Sequence, residues 1–262
     1  FFTLLAHLPG KVREGEALTH LVFNNDGSHG QTEGDETIFA ERLGRITGIA
    51  ARFGLPLIPV NSNVDGFIGL NFEQTHSVRN ASVALLFQSA CRRMLYGSAY
   101  HYDGIRIHPT YSTAYADPAL LPALSTEAMT LMDFGTAQSR FEKIAAIADD
   151  PLVQSHLDVC VRTGSQDRFI NCGRCFKCIR TLFALEILGR VEQFAEVFDL
   201  DAWRRVRGWA IYAGLRSGGP YWEELGEAML RHGHDPGGMV RQLSPWLPGK
   251  AYRMLLPFVA RS

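Results

Sequence analysis

The sequence predicts an α/β protein: a parallel sheet with helices on both faces, a zinc knuckle, and a helical C-terminal extension. Three observations predict it. Short apolar runs alternate with stretches of helical periodicity over residues 1–150, the pattern of βα units and a parallel sheet. Four of the five cysteines fall between Cys160 and Cys178. Beyond Cys178 the chain shows only helical patterns broken by Gly and Pro.

The elements follow in chain order. Phe1 to Leu8 reads as a helix already under way, with no N-cap before it and Pro9-Gly10 after it. The sequence is therefore expected to begin inside a longer natural chain. Leu18 to Asn24 is a buried strand that ends in the loop Asn25-Asp26-Gly27-Ser28. A helix is expected from about Glu36 to Phe53, because Ile38, Phe39, Leu43, Ile46, Ile49, Ala50 and Phe53 share helical spacing. Gly54 and Pro56 stop it.

Leu57 to Val60 is a second strand, which Pro59 assigns to a sheet edge or a bulge. A helix from about Ser77 to Cys91 leads to a third strand, Met94 to Gly97. Tyr102 to Thr126 reads as a long loop, a length that is uncommon unless functional. Met129 to Phe134 is a fourth strand, followed by a helix over about Ala137 to Ala148. The loops after Asn24, Gly97 and Phe134 are expected on one rim, at the carboxyl ends of the strands, where such sheets bind ligands. The domains are read as 1–188, which includes the knuckle at 160–178, and a helical extension over 189–262.

Composition narrows the function classes. The 262 residues carry a net charge of -1, with 46% hydrophobic and 20% charged residues. Such a chain can bury a full core without disulfides. The near-zero charge argues against a strong nucleic-acid footprint, and the run Arg204, Arg205 and Arg207 reads as a solvated helix face. No apolar run approaches the roughly 20 residues of a spanning helix, and no signal peptide is visible. The expected compartment is the cytoplasm, with no membrane partner.

In a reducing compartment, clustered cysteines favour metal over disulfides. Cys160 is followed after eleven residues by Cys172-Gly173-Arg174-Cys175-Phe176-Lys177-Cys178. Two CxxC turns overlap at Cys175, and Cys160 closes a four-thiolate shell that suits structural Zn2+ and leaves no open position for chemistry. An iron–sulfur cluster, and free or redox thiols, are the alternatives. Cys91 reads as a small buried hydrophobe. His7, His20, His232 and His234 show no ligand spacing.

The run from Cys172 to Arg180 resembles the C-G-x-C-x-x-C-x-R ending of 7-cyano-7-deazaguanine synthases, members of the PP-loop ATP pyrophosphatases. Arg79-Asn80 is similar to the R-N step that precedes their third strand, and Met94 to Gly97 falls where their I-G strand end falls. The resemblance covers residues 1 to about 188. It implies an adenine nucleotide alpha hydrolase (HUP, Rossmann-like) fold and ATP with Mg2+. It also implies cleavage between the α and β phosphates, adenylation of a substrate oxygen, and displacement of AMP by a nucleophile. The family's S-G-G-x-D-S phosphate loop would lie just before Phe1. The longer Cys160–Cys172 gap and the Tyr102–Thr126 loop depart from these synthases, so another small carboxylate or amide substrate fits better.

The resemblance distributes roles. The backbone of Phe23 and Asn24 would meet the adenine, and Arg79 would either contact phosphate or substrate through its bidentate guanidinium or form an ion pair on the helix surface. Ser98, Tyr100 and His108 would lie on the rim, with His108 read as an ordinary loop histidine. Arg140 and Lys143 share a helix face and would stabilise departing pyrophosphate. Lys177 and Arg180 flank the knuckle within reach of phosphate. Two other readings stand beside the ligase: a tRNA-modifying relative, and a non-catalytic zinc-stabilised binding module. Any of them is compatible with a homodimer.

Overall fold

The computed structural model describes residues 1–28, 33–160, 168–247 and 250–251, with helix α2 starting at Glu33. The chain divides into two compact units, Phe1–Ser139 and Arg140–Ser262. All four clustered cysteines and the described part of the helical extension belong to the second. The final stretch of the extension, 252–262, and the residues 161–167 between Cys160 and Cys172 lie outside the described residues.

The first unit is mixed α/β. Its elements are α1 (Phe2–Ala6), β1 (Leu21–Asn25), α2 (Glu33–Arg52), β2 (Leu57–Asn61), α3 (Val64–Ile68), α4 (Phe72–Leu85), β3 (Arg93–Gly97), α5 (Asp117–Ala123) and β4 (Thr130–Phe134). The four expected strands form as two parallel pairs, β1 with β2 and β3 with β4. Phe23 stands opposite Pro59. Among the described residues β2 has one neighbour, so Pro59 sits on an edge strand, where its missing N–H costs no ladder bond.

The core of this unit gathers Ala81 and Ala84 of α4, Leu121 of α5, Met129 just before β4, and Leu131 of β4. Cys91, read as a small buried hydrophobe, packs against it but is only half-buried and lies beyond the end of α4. Phe2 and His7 at the two ends of α1 both lie against Phe134, with ring centroids at 5.7 and 4.2 Å.

Several boundaries differ from those expected. The helix read from Ser77 begins at Phe72, because the Asn71 side chain accepts the N–H of Glu73 at 2.9 Å and caps it. It ends at Leu85 rather than Cys91. The Tyr102–Thr126 stretch is not all loop: it holds α5 and two 3-10 turns, Tyr102–Gly104 and Thr113–Tyr115. A proline in the first turn opens α5, and Leu121 is fully buried beneath it. The short helix α3 has too few apolar positions to show a period.

The second unit is helical: α6 (Arg140–Ile147), α7 (Pro151–His156), α8 (Phe176–Ile187), α9 (Leu200–Ser217), α10 (Pro220–Arg231) and α11 (Gly238–Leu243). Helix α7 is set by Asp150, whose carboxylate accepts the N–H groups of Leu152 at 2.8 Å and Val153 at 3.3 Å, ahead of a proline at the helix start. The core is built on α8, which buries Leu182, Phe183, Ala184 and Leu185 against α6, α9 and α10. Trp203 and Ile211 of α9 and Met229 of α10 are also buried. The packing is close: a Cβ on Gly214 would lie 2.1 Å from the Trp222 ring. Among the described residues no helix is long and apolar enough to cross a membrane.

Candidate metal centre

The knuckle forms where the chain turns into α8. Gly173 adopts φ +66°, and a Cβ there would stand 2.1 Å from the Asp199 carbonyl oxygen. Only glycine meets both demands. Cys175 is the N-cap of α8, and Cys178 follows one turn later on the same side. Cys160 arrives from the segment after α7. Its position is set by Asn171, which is fully buried. The Asn171 Oδ1 accepts the N–H groups of Val159 at 2.8 Å and Cys160 at 3.1 Å. Its Nδ2 donates to the carbonyls of Leu157 at 2.7 Å and Val197 at 3.1 Å.

The four sulfurs of Cys160, Cys172, Cys175 and Cys178 all lie within 4.8 Å of one another. Cys175 Sγ is 3.8 Å from Cys160 Sγ and 3.4 Å from Cys178 Sγ. A tetrahedron with metal–sulfur bonds of about 2.3 Å has edges of about 3.8 Å. The donor set therefore fits a metal ion such as zinc. Cys160, Cys175 and Cys178 are buried and Cys172 half-buried. Burial first, then the neighbouring thiols, push the Cys178 thiol far up. A divalent cation reverses that preference by holding thiolates directly. The helix N-terminus at Cys175 favours the same charge.

Beside the knuckle, four candidate cations are placed by the helix pair α6 and α8. Arg180 of α8 lies over the Tyr221 ring at 4.3 Å and the Phe176 ring at 5.2 Å. Arg140, at the start of α6, lies over the same Tyr221 ring at 5.0 Å. Lys177 is exposed in the first turn of α8. Lys143 is half-buried on α6. The structure thus brings Arg140 and Arg180 together on Tyr221, a residue the sequence reading did not single out. An aromatic one residue into a helix gives no signal of that role.

The remaining candidates lie in the first unit. Asn24 Nδ2 donates to Asn80 Oδ1 at 2.9 Å. Phe23 stacks on Phe39 at 5.1 Å, joining β1 to α2. Ser98 continues the β3–β4 ladder, its N–H donating to the Phe134 carbonyl at 2.9 Å. His108 is exposed, with Nδ1 2.8 Å from the Pro109 carbonyl oxygen.

The resemblance gives Arg79 a contact with phosphate or substrate. In the structure it is fully buried. It donates to Thr75 Oγ1 at 2.7 Å and to the carbonyls of Asp26 and Leu70, both at 2.9 Å. It also pairs with the Asp65 carboxylate. Arg79 therefore positions the loop after β1, and its guanidinium faces protein acceptors.

A buried polar seam that the sequence reading missed lies along α4. Ser77 Oγ donates to Asp117 Oδ1 at 2.5 Å and lies 3.0 Å from Thr113 Oγ1. His76 Nδ1 is 3.2 Å from the Tyr96 hydroxyl, and its Nε2 is 3.4 Å from Ser112 Oγ. These bonds fasten the Ser112–Asp117 segment onto α4. Burial raises Asp117 to about 6, opposed by the Ser77 bond. Burial also raises Asp26 to about 6, opposed by backbone N–H groups and by Arg79. Asp26 Oδ2 and Asp117 Oδ2 are buried with no hydrogen-bond partner among the described residues. Asp26 stands two residues beyond Asn24 at the strand end, and that position is the one signal that could have found it.

Comparison with protein-family models, with curated proteins and with solved structures returns no match.

Proposed function

We propose that the chain is the zinc-stabilised part of an ATP-dependent adenylating enzyme of the PP-loop kind. Such an enzyme forms an amide or nitrile from a small carboxylate or amide and releases AMP and pyrophosphate. One observation carries the reading. The C-G-x-C-x-x-C-x-R run closes a four-sulfur cluster, and its terminal Arg180 stands with Arg140 on one aromatic ring. Zinc in this reading is structural: four thiolates fill its shell, so it holds α8 and the Cys160 segment together.

A Rossmann-like fold accommodates the two parallel strand pairs. Among the described residues β1 and β3 each have a single paired neighbour. Helix α4 reaches both, through Asn80 to Asn24 and through His76 to Tyr96. In this reading one further strand, carrying the S-G-G-x-D-S loop, pairs between β1 and β3 and makes a single parallel sheet. Asn24 and the backbone near Phe23 then face the adenine, and Ser98 lies on the same rim. Within the second unit, Arg140, Arg180, Lys143 and Lys177 offer positive charge of the kind that suits phosphate oxygens.

The test is a nucleotide balance on the natural full-length protein, incubated with ATP, Mg2+ and a panel of carboxylates and amides. Equal amounts of AMP and pyrophosphate, formed only with an accepted substrate, are expected. ADP and phosphate as products, or no nucleotide bound at all, would overturn the reading.

A further inference from the structure

We infer that the exposed face of the cysteine knuckle binds single-stranded nucleic acid, with one base stacked on Phe176 and the flanking phosphates held by Arg174 and Lys177. The inference does not rest on the ligase reading.

Phe176 is 59% exposed although it opens a helix that buries Leu182, Phe183, Ala184, Leu185 and Ile187. It is held as a platform. The Arg180 guanidinium lies 5.2 Å from its ring centroid and 4.3 Å from that of Tyr221, with Arg140 a further 5.0 Å from Tyr221. A ring backed by a stacked guanidinium is rigid and electron-poor, which suits an added π-face.

Charge supplies the second half of the argument. Between residues 168 and 180 there are four basic residues, Arg168, Arg174, Lys177 and Arg180, and no acidic one. Arg168, Arg174 and Lys177 are exposed. The first turn of α8 likewise holds no acidic residue. A simpler role for these cations is to neutralise the metal centre. Neutralising the two negative charges that four thiolates leave around a divalent ion gives no reason for an exposed phenylalanine among them. A basic surface with an aromatic face on it matches the phosphate backbone and the bases of an unpaired strand. The net charge of -1 for the whole chain makes this a local patch, with a small salt dependence.

The experiment is fluorescence anisotropy on the full chain with zinc bound. The probes are a labelled 12-nucleotide oligouridylate, the matching oligodeoxythymidylate, and a labelled 12-base-pair duplex. Binding of either single strand in preference to the duplex is expected, and comparison of the two assigns the sugar. Phe176→Leu keeps the apolar contact but removes the ring, and should weaken binding about tenfold. Phe176→Trp should restore it. Lys177→Gln and Arg174→Gln should each lower the salt slope by about 0.7. Zinc content and melting temperature of each variant establish that the knuckle is intact. Unchanged affinity in Phe176→Leu, equal affinity for the duplex, or no binding at about 200 μM protein, weaker than ordinary non-specific binding, would each overturn the inference. Equal competition by an acidic peptide would overturn it in favour of a protein partner.

Discussion

The side chain of Asn171 holds the backbone of Cys160: its Oδ1 accepts the Cys160 N–H at 3.1 Å while the Nδ2 bridges to Leu157 and Val197. A single fully buried amide thereby fixes the remote cysteine against the other three. Asn171→Ala leaves two N–H groups and the Leu157 carbonyl without their partner, each at a cost of about 1–3 kcal/mol if no water replaces it, while the Val197 carbonyl keeps the backbone N–H of residue 171. Zinc affinity should fall about 10- to 100-fold, as for other residues that orient a metal ligand. Competition with a chromophoric chelator measures it. An unchanged affinity would mean that the Cys160 segment holds its own shape.

Metal removal should unfold the second unit in preference to the first. Purified protein is expected to carry one zinc per chain by elemental analysis. Chelation, or Cys175→Ser, should lower the melting temperature and weaken amide-exchange protection over α8 and α9, because binding free energy at such a site is folding free energy. Metal-free protein with full protection in α8 would sink the structural role.

Asp26 and Asp117 should make the first unit less stable as pH rises. Each is held at about 6 in the folded chain, above the ordinary 3.8. A raised carboxyl pKa means that the folded state binds the proton more tightly. The stabilisation is therefore full below about pH 4 and lost as pH rises through about 6. The loss is of order 3 kcal/mol per group by linkage. Asp26→Asn and Asp117→Asn should each flatten the dependence, read by urea denaturation from pH 4.5 to 7.5. A slope equal to that of the wild type in both variants would contradict the assignment.

Glu186 has the opposite sign. Burial pushes it up, but hydrogen bonds from His234 and Arg207 prevail and hold it at about 2. Its contribution is present above the ordinary 4.5 and is lost as pH falls toward 2. The size is about 3 kcal/mol by linkage. The carboxylate joins α8 to α9 through Arg207 Nε at 2.7 Å and to the segment after α10 through His234 Nε2 at 2.9 Å. Glu186→Gln should destabilise the second unit at pH 7 and have little effect near pH 2.5, as thermal melts would show.

Arg79→Met should cost about 3–5 kcal/mol, since it strands a carboxylate and several acceptors that now share one buried guanidinium. Exchange protection of the loop after β1 should fall first. A variant as stable as wild type would show that the guanidinium's cost of burial cancels its bonds.

Some features were legible from residue types alone. The four cysteines announced a cluster because thiolate spacing over two overlapping CxxC turns is local chemistry, and Gly173 was an expected part of that turn. The four strands were legible because apolar runs bounded by Gly, Pro and Asn are short-range signals. Pro59 placed its own strand at an edge for the same reason, by lacking a donor. Helix α4 could have been read five residues earlier from Asn71, and α5 from the proline at its start, since caps are also local.

Tertiary structure decided what depends on partners distant in sequence. The sequence shows Arg79 as a cation on a helix; only the fold surrounds it with Asp26, Asp65, Leu70 and Thr75. No spacing rule places Tyr221 under two guanidiniums or Ser77 against Asp117 forty residues away. Burial also set the protonation of Asp26 and Asp117, because desolvation is a property of the packed surroundings and not of the residue. The sequence determined which atoms can bind a metal; the packing around Asn171 and Gly173 determined that four of them meet.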